Sequence, residues 1–90
     1  MKQIELLISG RVQGVCYRYF TKSEAEKSSI NGFVMNLPDG NVKVVAAGNE
    51  QDLDIFIENL RKGPSYAEVN NIEIQEIKLT AEFKDFKIEY

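Results

Sequence analysis

Twelve residues, Ser9 to Phe20, constrain this chain more than any other stretch. They read S-G-R-V-Q-G-V-C-Y-R-Y-F. Before them, Ile4, Leu6 and Ile8 alternate with polar Gln3 and Glu5, the period of a half-buried strand. After them comes a polar run of helix-forming residues. The stretch must therefore carry the chain from a strand into the mouth of a helix. Gly10 and Gly14 can adopt positive φ and let the backbone come close to a ligand. A loop of this kind aims several N–H groups inward, where they act together with the positive end of the helix dipole as an anion site. Arg18 falls in the first helical turn, where a cation opposes the dipole. A planar guanidinium at an electropositive spot makes sense if an anion is expected between them.

The rest of the chain supplies the frame. Residues 3–9 read as a strand, and Leu7 breaks its polar face, so a central strand is expected. Residues 18–29 read as a helix with Phe20 and Ala25 turned inward and Gly32 as its C-terminal stop. Residues 33–37 and 42–47 are short apolar runs joined by Pro38-Asp39-Gly40-Asn41. This is turn chemistry, in which Pro fixes φ, Asp bonds its own backbone and Gly accepts the left-handed region, so a hairpin is predicted. Residues 50–62 give the clearest helix: Asn49 can cap it, and Leu53, Phe56, Ile57 and Leu60 form one stripe. Arg61 and Lys62 occupy its last turn, and Gly63-Pro64 ends it. Residues 69–79 return to strand with Ile72/Ile74 and Ile77/Leu79 in two phases, which suggests a bulge or a sharp twist at Gln75-Glu76. Phe86 and Ile88 mark a short last strand. The pattern predicts an α+β fold, a ferredoxin-like βαββαβ sandwich: an antiparallel sheet with two helices on one face, plus a C-terminal strand.

Composition removes several function classes. The 90 residues make one domain, 1–90, and the net charge is −3 with scattered Lys and Arg, so no electrostatic footprint for nucleic acid is present. A single cysteine forms no internal disulfide, and with no histidine the chain lacks the commonest acid–base catalyst and metal ligand. No apolar run approaches the ~18 residues of a membrane span. The alternating N-terminus is not a signal-peptide core, so a cytoplasmic protein is expected.

Three blocks resemble the acylphosphatase family: Gly10-Arg11-Val12-Gln13-Gly14-Val15-Cys16-Tyr17-Arg18, then Gly32-Phe33-Val34-Met35-Asn36-Leu37-Pro38-Asp39-Gly40-Asn41-Val42, then Gly63-Pro64 with Ala67 and Val69. They come in family order and spacing, across nearly the whole chain. The resemblance implies the same ferredoxin-like fold and metal-independent hydrolysis of a carboxyl-phosphate bond to carboxylate and phosphate. It implies Arg18 as the phosphate-binding arginine and Asn36 as the residue orienting water. Backbone N–H groups of Gln13, Gly14, Val15, Cys16, Tyr17 and Arg18 would bind the phosphoryl oxygens. A small-molecule acyl phosphate is then the substrate and inorganic phosphate a product. No metal, cofactor, nucleic-acid or membrane partner is expected, and the protein is expected to be a monomer. Met35 departs from the family, where a basic residue is common.

The chemistry agrees with a chain that lacks histidine. An acyl phosphate expels a carboxylate whose conjugate acid has a pKa of about 4, so no general acid is required. Holding the phosphoryl group, spreading its charge and placing one water in line suffice. Arg18 offers a fork matched to two phosphoryl oxygens, and an amide such as Asn36 can both donate to and accept from a water. Cys16 does not support a cysteine phosphatase, because that chemistry needs an arginine six residues after the thiolate and Arg18 is only two away. Arg11 either adds positive potential or is a solvated loop residue. Tyr17 and Phe20 are expected in the core. Two other classes are carried alongside the enzyme. One is a phosphate or acyl-phosphate binding module on the same fold, as in hydrogenase-maturation proteins; with nothing following Tyr90, the free-standing enzyme is preferred. The other is an RNA-recognition-type domain, suggested by Gly32-Phe33-Val34 but lacking the rest of that motif.

Overall fold

The computed structural model describes residues 1–78 and 82–90. Its elements are β1 (Lys2–Arg11), α1 (Tyr17–Lys27), β2 (Asn31–Asn36), β3 (Val42–Gly48), α2 (Glu50–Lys62), β4 (Glu68–Ile77) and β5 (Phe86–Glu89). The strand order is β4-β1-β3-β2-β5. β1 pairs antiparallel with β3 and β4, and β3 antiparallel with β2. β5 adds to the outer edge of β2 in parallel. The sheet is therefore mixed rather than antiparallel throughout, while the ferredoxin-like arrangement of two helices and a sheet is as expected. β1 lies inside the sheet, as its apolar character requires.

One face of the sheet holds the core. Leu6 and Ile8 of β1, Val42 and Val44 of β3 and Val34 of β2 are fully buried there. They form one cluster with Tyr17 and Ala25 of α1 and with Leu53, Phe56 and Leu60 of α2. The α2 stripe is the one its i, i+3, i+4, i+7 spacing predicts, with Ile57 partly buried at its margin. The Asn49 side chain accepts from the Asp52 N–H at 2.8 Å, and Gly63 ends the helix with φ of 64°. α1 buries Tyr17, Thr21 and Ala25, one residue every four. Thr21 is tolerated there because its hydroxyl donates to the Tyr17 carbonyl at 2.9 Å. Phe20 packs partly buried against the same cluster. In the hairpin turn, Asp39 Oδ1 accepts from the Asn41 N–H at 3.0 Å and Gly40 has φ of 94°, the predicted turn chemistry.

Two further readings of the sequence are corrected. Gly32 does not stop α1: the helix ends at Lys27, and Ser29 takes the left-handed conformation with φ of 57°. Gly32 belongs to β2, where a Cβ would stand 1.9 Å from the Val45 carbonyl oxygen. No bulge occurs at Gln75-Glu76, which pair in unbroken register with Glu5 and Ile4. The irregularity lies at Ser9/Gly10, where Asn71 and Val69 take successive partners and Asn70 is passed over. The change of phase at Ile77 is a change of face: Ile72 and Ile74 oppose Ile8 and Leu6, whereas Ile77 opposes Gln3. Leu79, expected to end this strand, lies outside the described residues.

Candidate active site

The connection from β1 to α1 is shorter than the sequence suggests, because β1 extends through Arg11 and pairs there with Glu68. Val12 is then buried, which pins the loop at its start. Gly14 has φ of 73° and Cys16 has φ of 62°, so two residues of a short loop are left-handed. Such alternation gathers successive N–H groups on one side as an anion-binding concavity. For a non-glycine residue this conformation costs on the order of 1 kcal/mol. Cys16 pays it at the N-cap of α1, a position that makes no side-chain capping bond. The first helical bond is Phe20 N–H to the Cys16 carbonyl at 3.1 Å. Among the described residues, no backbone N–H from Gln13 through Tyr19 donates to a backbone carbonyl.

A cavity of about 260 Å3 opens beside this loop, lined by Val12, Gly14, Cys16, Tyr17, Arg18, Tyr19 and Asn36. Arg18 enters from the second residue of α1, and Asn36 from the last residue of β2. Two residues from different elements thus line one concavity, and Arg18 is the only charged residue lining it among those described. The Asn36 Oδ1 is buried and makes no hydrogen bond among the described atoms. An acceptor left bare in this way is costly unless something else donates to it.

The cavity brings together Gly14, Cys16, Tyr17, Arg18 and Asn36. Val15 instead packs against the core. Gln13 turns its side chain away to the hairpin, where Nε2 donates to the Leu37 and Asn41 carbonyls, each at 2.8 Å. Tyr17 is a core residue, as predicted; its hydroxyl donates to the Leu60 carbonyl at 2.8 Å. Arg11 is exposed at the end of β1 and is not part of the cavity wall. Alternation along β2 puts Met35 on the opposite face from Asn36.

Other residues at the site were not singled out from the sequence. The Tyr90 ring lies 4.9 Å from the Arg18 guanidinium carbon, within cation–π range. Arg18 Nη1 also approaches the Glu89 carbonyl at 3.5 Å. The Tyr19 and Tyr90 hydroxyls meet at 3.4 Å, and this contact raises the Tyr19 phenol above its ordinary range. These contacts exist because β5 runs parallel to β2 and delivers residues 89 and 90 beside α1. Nothing local in the sequence announces that placement. Among the described residues no group of three or more Cys, Asp or Glu side chains could hold a metal ion. Among the described residues, no helix is long and apolar enough to cross a membrane.

A family model for Acylphosphatase matches residues 4–88. The chain belongs to the acylphosphatase family. The acylphosphatase of Methylococcus capsulatus is 39% identical over 88 residues, covering 98% of this chain and 96% of that relative. The crystal structure of acylphosphatase from Bacillus subtilis has a TM-score of 0.96 and 37% identity, with each chain fully covered. An acylphosphatase structure from Coxiella burnetii gives 0.92 and 35%, over 98% of this chain and 92% of that one. Relatives matching from end to end carry the enzyme's name, so the acylphosphatase reading stands ahead of the binding module and the RNA-recognition domain.

Proposed function

We propose that this acylphosphatase hydrolyses small acyl phosphates with Arg18 and the Gln13–Arg18 backbone holding the phosphoryl group and Asn36 placing the attacking water. The observation that carries this reading is the shared cavity: Arg18 and Asn36 line the same 260 Å3 space beside the loop. The guanidinium forks onto two phosphoryl oxygens, and the loop N–H groups take the remaining charge. Water bound to the Asn36 amide keeps a lone pair toward phosphorus.

The new bond forms between the water oxygen and phosphorus as the bond from phosphorus to the acyl oxygen breaks. The electron pair leaves with the carboxylate. The water proton passes to a phosphoryl oxygen, so an acyl phosphate dianion and water give carboxylate and dihydrogen phosphate. Asn36 cannot take a proton as a base, and none of the steps needs it to. The carboxylate leaves unprotonated, since its conjugate acid has a pKa of about 4. Rate enhancement rests on positioning and on charge stabilisation that strengthens as phosphorus is attacked. An exposed lone thiol at Cys16 fits a reducing compartment such as the cytoplasm.

The test is loss of the absorbance of a small aromatic acyl phosphate, followed with a chelator present. Hydrolysis is expected to persist in chelator and to collapse in Asn36→Ala. A folded protein that binds inorganic phosphate but turns over no acyl phosphate would overturn the proposal.

A further inference from the structure

The phosphate loop and the strand that ends in Asn36 are separate pieces of chain. One of the contacts between them is unusual. Gln13 Nε2 uses both of its protons on backbone carbonyls of the β2–β3 turn, Leu37 and Asn41, at 2.8 Å each. Leu37 directly follows Asn36. The same two carbonyls close the neck of the hairpin, where Leu37 N–H donates to Asn41 and Gly40 N–H donates to Leu37. A single amide therefore clasps both sides of the hairpin neck from the residue before Gly14.

We infer that the Gln13 side chain is a positioning residue, which sets the Asn36 amide at its working distance from the phosphate loop. This rests on the catalytic reading above and adds to it a role for a side chain that the reaction does not touch. Three features separate it from a merely structural bond. Gln13 is partly buried and joins segments 24 and 28 residues apart, so the link is not a local turn. Each carbonyl keeps a backbone donor if Gln13 is removed, so the turn can survive its loss. And the clasp attaches next to the proposed water-binding residue rather than to Arg18, so phosphate binding and water placement should respond differently.

A double-mutant cycle tests this. Gln13→Met keeps the side chain's length and removes both donors. It is expected to lower kcat about 10-fold while changing the inhibition constant of inorganic phosphate less than about 2-fold. In an Asn36→Ala background the same change is expected to alter kcat less than about 2-fold, because the group being positioned is already gone. An equal loss in both backgrounds would overturn the inference, as would an unchanged kcat in folded Gln13→Met or a loss confined to phosphate binding. If Gln13→Met does not fold, Gln13→Ala removes the donors without adding charge, and the same pattern is required of it. The outcomes separate the two claims. Undiminished activity of Asn36→Ala overturns the catalytic reading and this inference together. Additive losses overturn the Gln13 role alone.

Discussion

The Tyr17 hydroxyl donates to the Leu60 carbonyl across the two helices at 2.8 Å. The reason lies four residues after Leu60. An α-helical carbonyl bonds the N–H of the residue four further on, and that residue is Pro64, which has none. Tyr17 supplies the missing donor. It thereby joins the first residue of α1, beside the cavity, to the last turn of α2. Tyr17→Phe leaves that carbonyl buried and bare, and is expected to cost about 1–3 kcal/mol of stability. Urea unfolding checks it. Hydrolysis at neutral pH should change little, because the phenol does not take part in the proposed chemistry.

The same residue makes stability depend on alkaline pH. Burial raises the Tyr17 phenol well above its ordinary value. The unfolded chain releases that proton near pH 10 while the folded chain keeps it, so above about pH 10 the unfolded state binds fewer protons. Stability attributable to Tyr17 is therefore complete below pH 10 and falls as pH rises, by up to about 1.4 kcal/mol per pH unit. Tyr19 is raised too, so the unmodified protein alone does not isolate the effect. The difference in slope between it and Tyr17→Phe, from denaturant titrations at pH 9 to 11, does. Parallel slopes would contradict the assignment.

What could be read in the sequence was whatever has a local cause. The α2 helix was legible because its stripe, its Asn49 cap and its Gly63-Pro64 end are all contained in sixteen residues. The turn at Pro38 to Asn41 was legible because each of its residues has a conformational reason to be there. The grouping of Arg18 with Asn36 came from motif resemblance, and the shared cavity agrees with it. The partner of β5 was not legible, since a parallel edge pairing leaves no local mark on four residues. Tyr90 over Arg18 was hidden with it. Thr21 was passed over because a hydroxyl that bonds its own helix is buried at little cost. The Gln13 clasp was invisible for a deeper reason: its partners are backbone carbonyls, which any residue supplies.

Gly32 shows the limit from the other side. The sequence shows a demand for glycine and does not say what makes it. In the fold, φ is 143° and a Cβ would meet the Val45 carbonyl oxygen at 1.9 Å, within the β2–β3 pairing that sets Asn36 in place. Backbone cannot give way as a side chain end can. Gly32→Ala is therefore expected to cost about 3 kcal/mol or more. Gly40→Ala, at φ of 94° with no neighbour within 4 Å of its Cβ, carries only backbone strain of about 1 kcal/mol. Equal shifts in the two urea midpoints would show that φ, and not the strand contact, governs Gly32.

Arg18 decides between charge and geometry at the proposed phosphate site. If a positive charge beside the loop were sufficient, Arg18→Lys would retain most of the activity. The contacts argue otherwise. The guanidinium lies against the Tyr90 ring with Nη1 near the Glu89 carbonyl, an arrangement that orients a plane rather than a point. Two phosphoryl oxygens match such a fork, and an ammonium cannot present one. Arg18→Ala is expected to lower kcat/KM by at least about 100-fold, the effect of losing one key oxyanion donor. Arg18→Lys is expected to recover about 10-fold of this at most, since it restores the charge without the fork. Phosphate inhibition measured on both variants separates the contributions: binding should return in part with lysine, while turnover stays low. Full recovery of turnover in Arg18→Lys would reduce the role of Arg18 to electrostatic attraction.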